Sequence, residues 1–439
     1  MRTDTIAAIA TAMSSSGIGI IRISGDEAVG IVDRIFSMKN GKKLSDMPTH
    51  TIHYGHIKDG DEVIDEVMVV LMRAPKSYTK EDTVEIDCHG GVYVMKRVLE
   101  TVIKYGARPA EPGEFTKRAF LNGKMDLSQA EALIDVITSQ NEYALKSSLS
   151  QLNGSLRNRI NDIRNKIIYH TAFIESALDD PEHISVDGYG ETLRKASIEI
   201  MEELKELIRS ADDGRVMKEG IQTVIVGKPN AGKSSLLNVL SGHDRAIVTD
   251  IEGTTRDALE EQIRLQGLTL NVIDTAGIRQ TEDIIEQMGV DKAKDYARNA
   301  DLVVYVVDAS REMDENDDKI LELIYDKRTI ILLNKSDLKT VVEEEDVRRK
   351  LKEIFEKNGR SFTPVPMIGI SAKEEQGIRE FEETVKSMFL KGSLSFNEEV
   401  YITNARQKSA LSDALESMEK VVGSIDAGMP EDFYSIDLM

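Results

Sequence analysis

The segment GKPNAGKSS at residues 227–235 follows the apolar run IQTVIV and has the spacing G-x-x-x-x-G-K-[ST]. That spacing suits a polyphosphate: glycines at 227 and 232 let backbone N–H groups turn inward around a β-phosphate, and the helix that follows adds its N-terminal dipole. Lys233 then reaches the β- and γ-phosphates, and the Ser234 hydroxyl can ligate Mg²⁺. Asn230, Ala231, Gly232 and Ser235 complete the loop. A glycine-rich turn without a ligand is the plainer alternative. Three further motifs, in order and each closing an apolar run, argue against it.

DTAG (Asp274, Thr275, Ala276, Gly277) closes LNVI and offers a carboxylate to the Mg²⁺ shell and a backbone N–H to a γ-phosphate. NKSD, with Asn334, Lys335 and Asp337, closes TIILL. The Asp337 carboxylate can accept from the guanine ring N–H and exocyclic amine, neither of which adenine offers. A buried carboxylate left unpaired by the wrong base makes discrimination of about 10⁴-fold expected. The plainer reading of Asn334 and Asp337 is an Asx turn after a strand. ISA at 370–372 brings Ser371 and Ala372, with a backbone N–H for the guanine carbonyl oxygen. The nucleotide read from these residues is GTP.

Between the first two motifs, AIVTDIEGTTRD places Thr249, Asp250, Ile251, Glu252, Gly253, Thr254 and Thr255 where a γ-phosphate-sensing switch belongs, with Thr255 as the second Mg²⁺ ligand. Ile278 follows DTAG, where Ras-type enzymes place a water-orienting glutamine, and an aliphatic side chain cannot orient water. Glu282, Asp283 and Glu286 of TEDIIEQ are the nearby polar groups, and the residues alone do not choose among them. Arg256 and Arg279 are the arginines available as fingers.

These loops need strands to hold them. From 220 to about 372, TVIVG, LNVID, LVVYVVD, TIILLNKSD and PMIGISA alternate with amphipathic segments, the pattern of a doubly wound parallel sheet. Before it, residues 125–180 contain no proline and one glycine, so they read as long helix, opened by Ser128 and Glu131 at capping-box spacing. A second helix, with Met201, Leu204, Leu207 and Ile208 on one face, is expected to end at a capping Gly214. Near the end, Leu411, Leu415, Met418, Val422 and Ile425 form a stripe that needs a partner helix. The simplest packing sets it against the helices before 214. The expected domains are an α+β domain over 1–118, a discontinuous helical domain over 119–215 and 383–439, and an inserted α/β domain over 216–382.

Composition narrows the partners. The 439 residues carry a formal charge of −21 and one cysteine, Cys88. A chain that grips nucleic acid unaided normally presents a basic surface, so any RNA contact must be local or shared. No apolar run approaches the roughly 18 residues of a membrane span, and MRTDTIAAIA lacks a signal-peptide layout, so a cytoplasmic location and no membrane contact are expected. In the first domain Arg22 is a charge in the apolar strand IGIIRIS, and VEIDCHG puts Glu85, Asp87 and His89 on one face. A solvated edge face is the plain reading of those three, and a metal site the sharper one. Cys88 is expected to pack against the sheet.

The motifs GKPNAGKSSLLN, AIVTDIEGTTRD, DTAGIR, EPGEFTKRAFLNGKMDLSQAEA and NARQ closely resemble those of the tRNA modification GTPase MnmE (TrmE) family, and the resemblance spans the chain. It implies a K⁺-dependent, homodimeric GTPase in which Asn230, Thr254 and the backbones of Thr249 and Ile251 hold K⁺ in place of an arginine finger. Glu286 then orients the attacking water. It also implies a folate-binding-like and dimerising first domain, with Arg22, Glu85 and Lys124 contacting 5-formyl- or methylene-tetrahydrofolate and the Lys124 amine free to point into a pocket. An FAD-dependent partner, MnmG (GidA), would bring most of the tRNA contact. The joint product would be an aminomethyl-type, carboxymethylaminomethyl, substituent at the 5-position of the wobble uridine. Members of the family end in a Phe-Cys-x-Gly-Lys tail, whose lysine is expected to strengthen folate binding, whereas this sequence stops at YSIDLM. The rival reading is a GTP-dependent switch in ribosome assembly, of the Era or Der type, but those carry a basic RNA-binding appendage.

Overall fold

β-Branched residues that alternate with polar ones form strands because one side of each strand can be buried against helices. The computed structural model of the chain describes residues 4–180, 182–185, 188–243, 261–273, 300–389 and 401–438. They fall into two compact units, Met1–Ala132 and Leu133–Met439. In the first unit β1 (Ile6–Ile9), β2 (Ile18–Ser24), β3 (Phe36–Met38), β4 (Thr51–Asp59), β5 (Glu62–Met72), β6 (Thr83–His89) and β7 (Arg108–Pro109) form one sheet in the order β3-β4-β5-β6-β2-β1-β7. It is antiparallel except where β7 joins β1. Helices α1 (Ala28–Ile35) and α2 (Val92–Lys104) share its core, where Ile21, Ile23, Val69, Val84 and Ile86 meet Ile31, Met95 and Val98. Period-two alternation therefore turns Ile20, Arg22, Glu85 and Asp87 to the opposite face, with Arg22 directly across from Glu85.

In the second unit β8 (Ile221–Val226), β9 (Glu261–Leu265), β10 (Leu268–Val272), β11 (Leu302–Asp308), β12 (Thr329–Asn334) and β13 (Met367–Gly369) are ordered β13-β12-β11-β8-β10-β9. Five strands are parallel, but β9 runs antiparallel to β10, so the expected all-parallel sheet is corrected at this edge. The reason is the two-residue link Gln266–Gly267, with both residues at positive φ, which can only join antiparallel neighbours.

The expected long helix over 125–180 is three: α4 (Leu127–Thr138), α5 (Glu142–Leu152) and α6 (Ser155–Asp179). Asn141 breaks the first junction by capping α5, its side chain accepting from Ala144 N, and Gly154 at φ 91° breaks the second. Nor is Ser128 the cap of α4. Asp126 accepts from the Gln129 N–H at 2.8 Å while Gln129 returns a bond to Asp126 N at 3.0 Å, so the capping box lies two residues earlier.

Helix α7 (Tyr189–Glu219) runs through Gly214 and is capped at Gly220, which overturns the expected stop. Along it lies α10 (Ala405–Asp426), whose Leu411, Met418 and Val421 share a core with Leu193, Ile200, Leu204 and Leu207. Val421 takes the place in that core that the expected stripe gave to Val422. Gly214 is needed for another reason: a Cβ there would sit 2.1 Å from the Ile402 carbonyl oxygen. Helix propensity favours alanine over glycine by about 0.5–1 kcal/mol, whereas overpacking against backbone costs about 1–3 kcal/mol. Gly214→Ala should therefore lower the thermal midpoint. A midpoint equal to or above that of the unaltered chain would contradict this packing.

Candidate functional site

The phosphate loop lies between β8 and α8 (Lys233–His243), at the carboxyl end of the sheet. Asn230 sits at φ 61° and is exposed, as are the hydroxyl-bearing Ser234 and Ser235 at the start of α8. Lys233 Nζ donates to the carbonyls of Gly227 at 2.6 Å and Lys228 at 2.8 Å, and burial pushes its pKa down to about 8. The loop is tied to the NKSD and ISA segments by Asn334, which is 2% exposed. Its Nδ2 donates to Ala231 O at 2.7 Å, and its Oδ1 accepts from Ala372 N at 3.0 Å. Gly232 makes room: a Cβ there would lie 2.0 Å from Asn334 Nδ2.

Asp337 is exposed rather than buried, and its Oδ1 accepts from the Ser371 hydroxyl at 2.6 Å. That bond holds its carboxyl below the usual carboxylate range. Lys335, at φ 68°, is fixed by an ion pair with Asp308 at 2.6 Å, at the end of β11. The sequence reading missed Asp308, although its place as the last residue of LVVYVVD is the same strand-end signal that marks Asn334. Thr249, Asp250, Ile251, Glu252, Gly253, Thr254, Thr255, Arg256, Asp274, Thr275, Ala276, Gly277, Arg279, Glu282, Asp283 and Glu286 lie outside the described residues.

On the open face of the first sheet Arg22 Nε bonds Glu85 Oε1 at 2.7 Å, and its guanidinium stands 5.0 Å from the Tyr78 ring and 5.7 Å from that of Phe115. Lys124 Nζ is also over Tyr78, at 5.1 Å, but it is not free as expected, since it donates to the Ser77 carbonyl at 2.8 Å. Burial, and then the charges of Arg22 and Lys80, lower its pKa. Helix α3 (Glu114–Leu121) carries Phe115. Glu114 anchors that helix to Arg108, whose hydrogen bond at 2.7 Å holds the carboxyl down to about 2. The aromatic members Tyr78 and Phe115 escaped the sequence reading because neither is in a strand with Arg22. Asp87 Oδ1 is buried with no hydrogen-bond partner, and burial followed by the charge of Glu85 raises its pKa. His89 pairs with Asp65 at 2.7 Å, and among the described residues no three His, Cys, Asp or Glu side chains group to hold a metal. Cys88 is buried, its Sγ donates to Gly19 O at 3.3 Å, and burial pushes its thiol up to about 11.

A phosphate loop strapped to two other strand-end loops of a mostly parallel sheet places the second unit among the P-loop α/β proteins. Residues 5–124 match the family described as GTP-binding protein TrmE N-terminus, and residues 127–439 match the MnmE helical domain. The tRNA modification GTPase MnmE of Lachnoclostridium phytofermentans is 56% identical over 100% of this chain and 93% of its own length. The corresponding proteins of Acetivibrio thermocellus and Clostridioides difficile are 48% and 46% identical, over 100% and 99% of this chain and 93% and 92% of theirs. The chain belongs to the tRNA modification GTPase MnmE (TrmE) family. No described helix is long and apolar enough to cross a membrane.

The low pKa of Lys233 has a readable consequence. Polyphosphate beside the ammonium restores its proton, so below pH 8 binding exchanges no proton here, and above pH 8 it must take one up. Affinity for GDP should fall as pH rises from 8 to 9.5, by up to about tenfold per unit. Calorimetry in buffers of different ionisation heat would show the proton uptake. A flat affinity across that range would refute it.

Proposed function

We propose that the chain hydrolyses GTP and couples this to modification of the wobble uridine of tRNA. The observation that carries the reading is the Asn334 side chain, which joins the phosphate loop to the ISA segment beside Asp337, an arrangement that would let phosphates and base be held on one surface. Ser234, an exposed residue at the start of α8, fits Mg²⁺, with Thr255 as second ligand. Exposed Asn230, in its left-handed turn, fits K⁺, with Thr249, Ile251 and Thr254 completing that site. Those cations would supply neutralisation of charge developing on the phosphates. The chain's own groups divide the rest. Lys233 leaves its two carbonyls for the phosphates, Asp337 and Ala372 read the base, and Glu286 orients water.

The same reading gives the first unit a reduced folate. An aromatic pair under a guanidinium, with Glu85 and the partnerless Asp87 Oδ1 beside it, suits a flat heterocycle rich in N–H donors. Arg22, Glu85 and Lys124 would hold it. The charge of −21 favours a second subunit for most of the tRNA contact, and an FAD-dependent MnmG (GidA) protein acting on a cytoplasmic homodimer of this chain fills that role.

GTP turnover should collapse when Na⁺ replaces K⁺ at equal ionic strength, and Glu286→Ala should lower kcat while KM stays near that of the unaltered enzyme. Equal turnover in the two salts, or a loss confined to KM, would dismiss this assignment. For the folate site, Lys124→Ala should weaken binding of a formylated tetrahydrofolate by about 1–3 kcal/mol, the worth of one charge-assisted hydrogen bond. Titration calorimetry decides it, and unchanged affinity would remove Lys124 from the site.

A further inference from the structure

The second residue of the phosphate loop points away from the place where phosphates would lie. Lys228 Nζ bonds Asp317 Oδ2 at 2.6 Å and Asp314 Oδ2 at 3.1 Å, both at the start of α9 (Glu315–Ile324). Asp317 is 1% exposed. Its Oδ1 accepts from the hydroxyl of Tyr305, a wholly buried residue of β11, at 2.7 Å, and its Oδ2 also accepts from Asp314 N at 2.8 Å. At its backbone, Lys228 does a second job: its carbonyl accepts from Lys233 Nζ at 2.8 Å and from Ala231 N at 3.3 Å. One residue thus links a fixed, buried carboxylate to the ammonium that the phosphates must recruit.

A carboxylate in the first turn of a helix needs no lysine to serve as a cap, and a buried ion pair contributes little net stability because both charges lose their water. What the pair does supply is a set position for the backbone between Gly227 and Gly232. We propose that Lys228, Asp317 and Tyr305 are positioning residues for nucleotide binding, holding the phosphate loop in its binding shape before the nucleotide arrives. This inference rests on the reading that the chain binds a guanine nucleotide. Ordering the loop in advance removes that cost from binding, so its loss falls on affinity for GDP and GTP alike and spares the chemical step.

The test uses the full chain with Mg²⁺ and K⁺, measuring GDP and GTP affinity, kcat at saturating GTP, and thermal midpoints with and without GDP. Lys228→Met, which leaves the Asp314–Asp317 cap and the Tyr305 bond in place, and Asp317→Asn should each weaken both nucleotides by about tenfold, with kcat within about threefold of the unaltered chain. Lys228→Arg, which can still reach Asp317, should restore affinity. Tyr305→Phe, the mildest change, should move affinity in the same direction if Asp317→Asn does not fold. Two results overturn the proposal. One is weakened binding in Lys228→Met with normal binding in Asp317→Asn or Tyr305→Phe, because Lys228 would then act by its own charge. The other is normal affinity in all variants with only a lower midpoint, because the pair would then merely support α9. Failure of the unaltered chain to bind GDP would instead defeat the nucleotide reading itself.

Discussion

The buried amide of Asn334 is the constraint on which the α/β part turns. It sits at the end of a strand whose residues are all buried, so neither of its polar atoms can fall back on water. A carboxamide donates to a carbonyl and accepts from an N–H through two ends of one short rigid plane, which is what Ala231 O and Ala372 N require. Aspartate would lack the donor and leucine both partners. The contact in turn dictates Gly232, because any Cβ at that position would occupy the space of the amide nitrogen. Motif residues 103 positions apart are therefore one packing solution.

Charge is distributed along the same logic. Lys335 and Lys228, from two different loops, are both held by carboxylates of the segment that leaves β11, Asp308 and Asp317. Lys233, by contrast, has only carbonyls for partners among its described bonds, and burial weakens its hold on its proton. Pairing the lysines that shape the loops, while the third meets no carboxylate among the described residues, keeps its charge available to an anion. A carboxylate beside Lys233 would instead compete with phosphate at every encounter.

Much of this was legible in the sequence because backbone-driven motifs carry their geometry in spacing. G-x-x-x-x-G-K-S, NKSD and ISA each follow a short apolar run, and periodicity alone places the runs in a sheet. The Leu411 to Ile425 stripe likewise announced a helix in need of a partner. What stayed hidden is whatever depends on a contact distant in sequence. Gly214 reads as a stop only until Ile402 is known to cross it. Ser128 reads as a cap only until Asp126, two residues earlier, is seen to take that role by accepting from the Gln129 N–H. EQIRL at β9 is half polar because it is an edge strand, so it gives none of the signal that marks β11 or β12. Tyr78 and Phe115 come to Arg22 from a loop and a helix, which no local pattern foretells.

The return of the chain to the helical part shows how far such distant contacts can determine structure. Tyr401 belongs to the core of the α/β sheet and Ile402 to the core of the helices, so two consecutive residues face opposite ways. An extended backbone does this naturally. It also exposes the carbonyl of Tyr401 and the N–H of Ile402, which the structure answers with Gln151 Nε2 at 2.5 Å and Ser210 Oγ at 3.2 Å. Thr403 then bonds Asp135, which is itself paired with Lys218 at 2.8 Å. A slip of one residue here would reverse both apolar side chains and break each of these bonds together. Register in this short segment is therefore set as firmly as in a central strand, although no strand forms, and it is Gly214 that lets the segment approach closely enough for the setting to work.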